Sequence, residues 1–229
     1  MLFRRAGNRG GLFGVLIMVV MFGVVLPLQF GPQWLSSTFN LLLWSWMPFM
    51  LVSSVVADAI AGERERHTLE TLLASRLSDQ AILFGKIFAA TVYGWGLTLL
   101  SVLISLITSN IAYWDGHLLF YHLDFALGII VLSLLVAMLA AGLGVLISLR
   151  AATVRQAMQT FSIIFFVMFI PMFLLPMLPA SIVQAGTSFV AQAQIDTLIV
   201  IAVIFLFVID LTLFIISQAR FQRSRLILD

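Results

Sequence analysis

Apolar residues in this sequence fall into six long stretches separated by five shorter, more polar connections. Each stretch holds about the 20 residues that an α-helix needs to cross a bilayer core of about 30 Å. The pattern predicts an all-α polytopic membrane protein with six spans in a single transmembrane domain over residues 1–229. The spans are expected at about Gly11–Phe30, Phe39–Ala61, Ile87–Ser109, Phe125–Leu149, Ala157–Met177 and Ile195–Ser217.

The first stretch is expected to be a retained span rather than a cleaved signal peptide. Arg4 and Arg5 precede it, as in a signal peptide, but the apolar run is too long for one. Leu26-Pro27-Leu28-Gln29 is also a poor cleavage site, since no small-x-small pattern follows the run.

The basic residues predict the orientation of the spans. Three of the five connections (31–38, 110–124 and 178–194) contain no Lys or Arg. All twelve basic residues lie in the termini and the other two connections, at Arg4, Arg5, Arg9, Arg64, Arg66, Arg76, Lys86, Arg150, Arg155, Arg220, Arg223 and Arg225. Under the positive-inside rule both termini are cytoplasmic. We expect a multi-pass protein of the plasma (inner) membrane of a prokaryote.

Composition supports the membrane class. The 229 residues are 62% hydrophobic and only 10% charged, where soluble domains run near a quarter charged. Cysteine is absent, which excludes disulfides and thiolate metal sites. The net charge of +2 is explained by the inner connections, so no nucleic-acid partner is expected.

One interior segment concentrates the charge. Gly62–Glu70 reads GERERHTLE, and the window 58–86 holds nine of the 22 charged residues of the chain. From position 63 to position 77 the spacing predicts an amphipathic helix at the inner membrane surface. Ser78-Asp79 then resembles an N-terminal cap that opens the third span.

The two faces of this predicted helix differ in character. One carries Leu69, Leu72, Leu73 and Leu77, and the other carries Glu63, Arg66 and Glu70 at spacings that allow ion pairs. An interfacial helix resting on lipid and a helix that docks a protein partner both fit this pattern. The acidic residues favour a protein partner, because lipid-anchoring helices present mainly Lys and Arg.

The run ADAIAGERERHTLETLLASRLSDQAILFGK, residues 57–86, resembles the hallmark segment of the type-2 ABC exporter permeases. The matching positions include the GERE and TLE elements and the closing Gly-Lys pair, and they extend over about thirty residues. The resemblance implies that this segment is the coupling helix that contacts a separate ATP-binding subunit. The implied docking residues are Gly62, Glu63, Arg64, Glu65, Arg66, Thr68, Leu69, Glu70, Leu72 and Leu73.

The resemblance also implies the wider assembly. The chain would be the permease subunit of an ATP-driven exporter, lining the translocation pathway together with a second permease copy, as a homodimer or related heterodimer. No cofactor would bind to this chain, and ATP and Mg²⁺ would be held by the partner. The sequence agrees, because a Walker A motif ending at Lys86 would need Gly at position 80 and Ser or Thr at 87, where Gln80 and Ile87 stand. We expect no enzyme activity in this chain.

Two carboxylates are candidate polar residues of a transport pathway. Asp210 lies inside the sixth span, where a charge is costly and faces a cavity, the bundle interior or a partner. Structural pairing and a direct role in transport both remain open for it. Asp58 lies near the cytoplasmic end of the second span, where it can reach water.

Prolines and histidines mark the predicted outer side. Pro171, Pro176 and Pro179 lie toward the outer end of the fifth span and are candidates for an outer gate, although an ordinary outer loop fits nearly as well. His117 and His122 share a short loop with two Asp residues, but their five-residue spacing does not suit a metal site. A solvated loop with interfacial aromatic residues is expected there.

Two other function classes remain open. An ion-driven secondary transporter would need no ATPase, but would be expected to show internal repeats, which are not evident. A non-transporting membrane subunit of an ATPase-coupled assembly or signalling complex would keep the same docking helix. The transported substrate is not predicted.

Overall fold

The structure, a computed structural model, describes residues 13–68, 76, 78–174, 177, 179, 181 and 195–220, excepting the side chains of residues 54, 57, 58, 168, 169, 171–173, 195 and 196. Six helical segments make up nearly all of it, and this part of the chain contains no strand, which confirms the all-α prediction. They are α1 (Phe13–Ser36), α2 (Thr38–Glu65), α3 (Asp79–Ala112), α4 (Leu123–Arg150), α5 (Val154–Leu174) and α6 (Ile195–Arg220).

Four of these segments are long and apolar enough to cross a membrane. They are α1, α3, α4 and residues Thr197–Arg220 of α6, and they coincide with the first, third, fourth and sixth predicted spans. In α2, the part Thr38–Ser53 is apolar but shorter than a full span. The helices α2 and α5 occupy the places of the second and fifth predicted spans, whose crossing of the membrane stays a prediction.

The predicted helix from position 63 to position 77 is wrong at its start. Gly62 to Glu65 form the last turn of α2, and the chain then turns at Arg66 and His67. His67 has a φ of 55°, in the left-handed region that typically ends a helix. The amide of Thr68 donates to the carbonyl of Glu63 at 2.9 Å, and this hydrogen bond caps the C-terminal end of α2. Residues 69–75 and Leu77 lie outside the described residues.

The predicted cap of the third span is confirmed. Ser78 Oγ accepts a hydrogen bond from the amide of Ala81 at 3.2 Å, and α3 begins at Asp79. The side-chain oxygen thus satisfies one of the free amides of the first turn, and the adjacent carboxylate is favourable at the positive end of the helix.

The chain divides into two compact units. The first comprises Met1–Val55 and Phe88–Ala141, and the second comprises Val56–Ile87 and Gly142–Asp229.

Small and hydroxylated residues allow close helix packing in the first unit. A Cβ on Gly94 of α3 would collide with the side chain of Val52, so α2 and α3 approach each other there. The same face of α3 continues with residues that are all at most 5% exposed, namely Thr98, Ser101, Ser105 and Ser109. Such a stripe brings helix backbones together where bulky residues cannot. Its spacing, at intervals of three and four residues, is visible in the sequence.

The loop between α3 and α4 is held down by polar side chains. Asn110 bonds the backbone of Leu119 with both its amide nitrogen and its oxygen, each at 2.8 Å. Tyr121 donates to Ser105 Oγ at 3.3 Å, and burial raises the pKa of the Tyr121 hydroxyl above its usual value of 10.0. Tyr121, one of the aromatic residues of this loop, is therefore anchored inside the first unit by its hydroxyl group. His122 pairs with Asp124 at 2.9 Å.

The core of the second unit brings α2 against α4 and α5. Ala61, Ala151 and Ala157 are each at most 3% exposed and form a tightly packed cluster. Ser148 Oγ of α4 accepts hydrogen bonds from the amides of Ile60 at 3.1 Å and Ala61 at 2.8 Å. These contacts place the charged end of α2 beside the end of α4 and the start of α5.

Candidate functional site

Glu63 joins the end of α2 to the start of α3. Its Oε1 lies 2.7 Å from Lys86 Nζ, and the side chains are 25% and 15% exposed. Lys86 also donates to the carbonyl of Ala59, one turn earlier in α2. The ammonium group is thus shared between a carboxylate and a carbonyl of the same helix end. Lys86 lies in the third turn of α3, so the pair fixes α2 against α3.

Arg64 joins α2 to the end of α4. Its Nη1 donates to the carbonyl of Ala151 at 2.7 Å and its Nη2 donates to that of Leu149 at 3.3 Å. The last carbonyls of a helix have no partner within the helix and carry the negative end of its dipole. A guanidinium group, with its fixed fork of donors, satisfies two of them at once.

Glu65 joins α2 to the start of α5. Its Oε1 accepts a hydrogen bond from the amide of Val154, the first residue of α5, at 3.1 Å. A carboxylate at this place meets both a free amide and the positive end of the helix dipole. Thr153 supplies a second cap, because its Oγ1 accepts from the amide of Gln156 at 3.2 Å.

Three consecutive charged residues therefore contact three different helices. We call Glu63, Arg64 and Glu65, together with Lys86, the GERE clasp. All four belong to the second unit. Any displacement of the end of α2 would pull on α3, α4 and α5 together, because each contact is polar and directional.

The sequence pattern did not predict these partners. The spacing of Glu63, Arg66 and Glu70 allowed ion pairs along one helix, whereas Glu63 pairs with Lys86 of α3. One available signal was Lys86 itself, a charged residue within the first turns of an apolar helix that needs a counter-ion. The partners of Arg64 and Glu65 are backbone groups of Leu149, Ala151 and Val154, 85 to 89 residues away, and no residue-type pattern reveals them.

The remaining predicted docking residues divide into three groups. Gly62 is buried in the last turn of α2, whereas Arg66 and Thr68 are exposed. Leu69, Glu70, Leu72 and Leu73 lie outside the described residues. Docking of a partner through this segment stays a prediction.

Asp210 lies on α6 with its carboxylate buried. Its side chain is 7% exposed, and neither carboxylate oxygen has a hydrogen-bond partner among the described residues. Ser217, two turns later on the same face, is fully buried and its hydroxyl is also without a partner in that part of the chain. Between them, Leu213 faces Gly142 of α4, where an added Cβ would lie 3.6 Å from Leu213 Cβ. The described residues thus offer no structural pairing for Asp210.

The other predicted pathway and gate residues lie mostly outside the described part of the chain. The side chains of Asp58 and Pro171 lie outside the described residues, although their backbones belong to α2 and α5. Pro176 lies outside them altogether, and Pro179 is exposed. Among the described residues, no group of three or more His, Cys, Asp or Glu side chains is placed to hold a metal ion.

Comparison with known proteins agrees with the family resemblance of the charged motif. The sequence model of the family described as "ABC-2 family transporter protein" matches residues 50–194, well over half of the chain. The chain belongs to the ABC-2 transporter family. The match includes the whole GERE clasp. As a member of this family with several apolar helices long enough to span, the chain is a multi-pass membrane protein, and its class is that of ABC transporter permeases.

A curated relative of this ABC-2 protein comes from Bacillus subtilis (strain 168). It is named "ABC transporter permease protein NatB" and is 28% identical over 152 residues, which cover 60% of the chain. The matched region makes up only 39% of the relative's length. No solved structure matches the chain.

Proposed function

We propose that this chain is the membrane subunit of an ATP-driven exporter, which docks a separate ATP-binding subunit through the segment that follows the GERE clasp, residues 66–73. A second permease copy would complete the translocation pathway. Both termini and the GERE clasp would face the cytoplasm, where ATP and Mg²⁺ are held by the partner. The observation that carries the proposal is the GERE motif, which in this ABC-2 family member joins the end of α2 to three other helices.

The clasp supplies a physical route for coupling. Residues 66–68, which follow the clasp at the end of α2, are exposed and available for contact with the ATPase. Closure of the ATPase would push this segment, and the polar contacts of Glu63, Arg64 and Glu65 would carry the movement to α3, α4 and α5. The clasp then acts inside the permease, while the segment after it makes the contact with the partner.

The buried carboxylate of Asp210 would belong to the pathway. An unpaired acid among apolar helices is costly, so its presence favours a role in transport rather than in packing. The prolines near the end of α5 would shape the outer gate.

Copurification tests the proposal. The wild-type chain, taken from its native membrane in mild detergent, is expected to bring an ATP-binding subunit with it. The pair Glu70→Lys and Leu72→Asp reverses a charge and removes an apolar contact in the proposed docking segment, and should abolish capture of the ATPase. The matched control is the pair Glu63→Gln and Lys86→Gln, which removes the internal ion pair and should retain the ATPase.

The opposite pattern would overturn the assignment. If no ATPase accompanies even the wild type, coupling to ATP is wrong and ion-driven transport becomes the leading account. If the docking pair retains the ATPase while the control loses it, the contact surface lies at the clasp itself. Elution volume in size-exclusion chromatography establishes in each case that the variant is folded.

A further inference from the structure

Beyond the proposed docking segment, a cavity of about 360 Å³ opens in the second unit among the ends of α4 and α6 and the start of α5. Arg150 and Arg220, the last residues of α4 and α6, both line it. The side chains of Gln156 and Thr160 also face it. We propose that this cavity binds an anionic phospholipid, with the phosphate on the two arginines and an acyl chain along the apolar wall.

Charge argues for an anionic ligand. Neither Arg150 nor Arg220 has an acidic partner within the described part of the chain, and none of the ten residues lining the cavity is acidic. Both arginines are exposed residues. Two unneutralised guanidinium groups at one cavity favour a phosphate oxyanion, which they can bind through paired hydrogen bonds.

The rest of the wall argues for a lipid rather than a free anion. Half of the lining residues are Leu or Ile, namely Leu143, Leu146, Ile147, Ile164 and Ile216. Ile216 lies one turn before Arg220 on α6, and Ile147 lies nearly one turn before Arg150 on α4. The charged end of the cavity is thus followed, along both helices, by apolar residues running into the span. This order matches a headgroup at the interface above an acyl chain.

The position of the cavity agrees with the lipid distribution of a cytoplasmic leaflet. In the proposed orientation, on which this inference rests, Arg150 and Arg220 lie at the inner interface. That leaflet carries the anionic lipids, and basic pockets between helices there bind phosphate headgroups. Ala151 also lines the cavity, and its carbonyl is the one that Arg64 holds. A bound headgroup would therefore lie beside the GERE clasp.

Native mass spectrometry of the full purified chain tests the site. The chain is titrated with dioleoyl phosphatidylglycerol and, separately, with dioleoyl phosphatidylcholine. Phosphatidylglycerol is expected to bind at least tenfold more tightly. The pair Arg150→Gln and Arg220→Gln should raise the apparent Kd for phosphatidylglycerol about 30-fold. Each basic residue near an anionic headgroup contributes substantially to the binding free energy, and this pair removes two.

The control pair removes the same charge elsewhere. Arg76→Gln and Arg155→Gln replace two exposed basic residues, and Arg155 lines a different surface cavity. This pair should change the Kd by less than about twofold. Ile216→Trp, which fills the apolar wall while leaving both arginines, should also weaken phosphatidylglycerol binding.

Three results would overturn the inference. Equal binding of the two lipids, or equal behaviour of the two variant pairs, would show that the arginines select no headgroup. Displacement of phosphatidylglycerol by millimolar inorganic phosphate, with no effect of Ile216→Trp, would show a free-anion site. Because these titrations use the chain alone, they stand apart from ATPase capture: lipid retention without a captured ATPase would overturn only the proposed function.

Discussion

At the scale of single residues, Asp210 is the most unusual side chain described. Its buried carboxylate has no hydrogen-bond partner among the described residues, so it loses its hydration without a compensating bond from that part of the chain. Keeping such a group lowers the stability of the fold, which is common at functional sites.

Replacement of Asp210 should therefore stabilise the protein. Asp210→Leu is expected to raise the free energy of unfolding by about 1–3 kcal/mol, because the desolvation cost of the polar group disappears. Thermal unfolding in detergent measures this. Thr212→Leu, which changes an exposed polar residue two positions away, is the control and should have little effect. Loss of stability in the Asp210 variant would instead reveal a structural partner for the carboxylate.

Arg64 should have the opposite effect. Arg64→Met keeps most of the side-chain length but leaves the carbonyls of Leu149 and Ala151 without their donor. Hydrogen bonds from charged groups contribute about 1.5–3 kcal/mol, so a destabilisation of roughly that size is expected. Arg155→Met, at an exposed position of α5, is the matched control. Equal melting temperatures for the two variants would mean that Arg64 does not hold the end of α4.

At the scale of elements, the second unit depends on close contact between α2 and α4. Gly144 has no room for a side chain, because an added Cβ would collide with the side chain of Val56 and lie 3.4 Å from the ring of Phe161. Gly144→Ala should cost about 1–3 kcal/mol through overpacking.

The control for this substitution is Gly96→Ala in α3. Nothing lies within 4 Å of a Cβ at Gly96, so alanine there should raise stability by about 0.5–1 kcal/mol through its higher helix propensity. Thermal unfolding should move in opposite directions for the two variants. If both glycines behave alike, backbone propensity rather than helix contact determines the effect at Gly144.

Much of each element was predictable, because its signals are local. Apolar length predicted the long helices, and Ser78-Asp79 predicted the start of α3 within its first turn. The end of α2 was not predictable in the same way. The leucine spacing after Glu63 favours a helix, but a left-handed residue at His67 ends α2 first, and nothing in the residue type of His67 demands that conformation.

At the scale of the whole molecule, the sequence pointed to the GERE segment but not to the contacts that this segment makes within the fold. The GERE motif was predicted to contact a partner protein, whereas its three charged side chains form contacts within the second unit. Such contacts join residues far apart in sequence, and they depend on which helix ends the fold brings together. A charge pattern alone does not distinguish a surface that binds another protein from a surface that binds its own fold.

The GERE clasp is proposed to transmit ATPase closure to the helices of this ABC-2 permease, and a distance measurement between labelled subunits tests this role directly. Because the chain has no cysteine, a single Leu118→Cys in the exposed α3–α4 loop can carry a spin label without further changes. In the proposed complex with an ATPase and a second copy of this chain, electron–electron resonance between the two labels should show a distance change on adding Mg²⁺ and a non-hydrolysable ATP analogue. With Arg64→Gln and Glu65→Gln together, the ATPase should remain bound but the distance should stay unchanged. A full distance change in that variant would show that Arg64 and Glu65 do not transmit the closure.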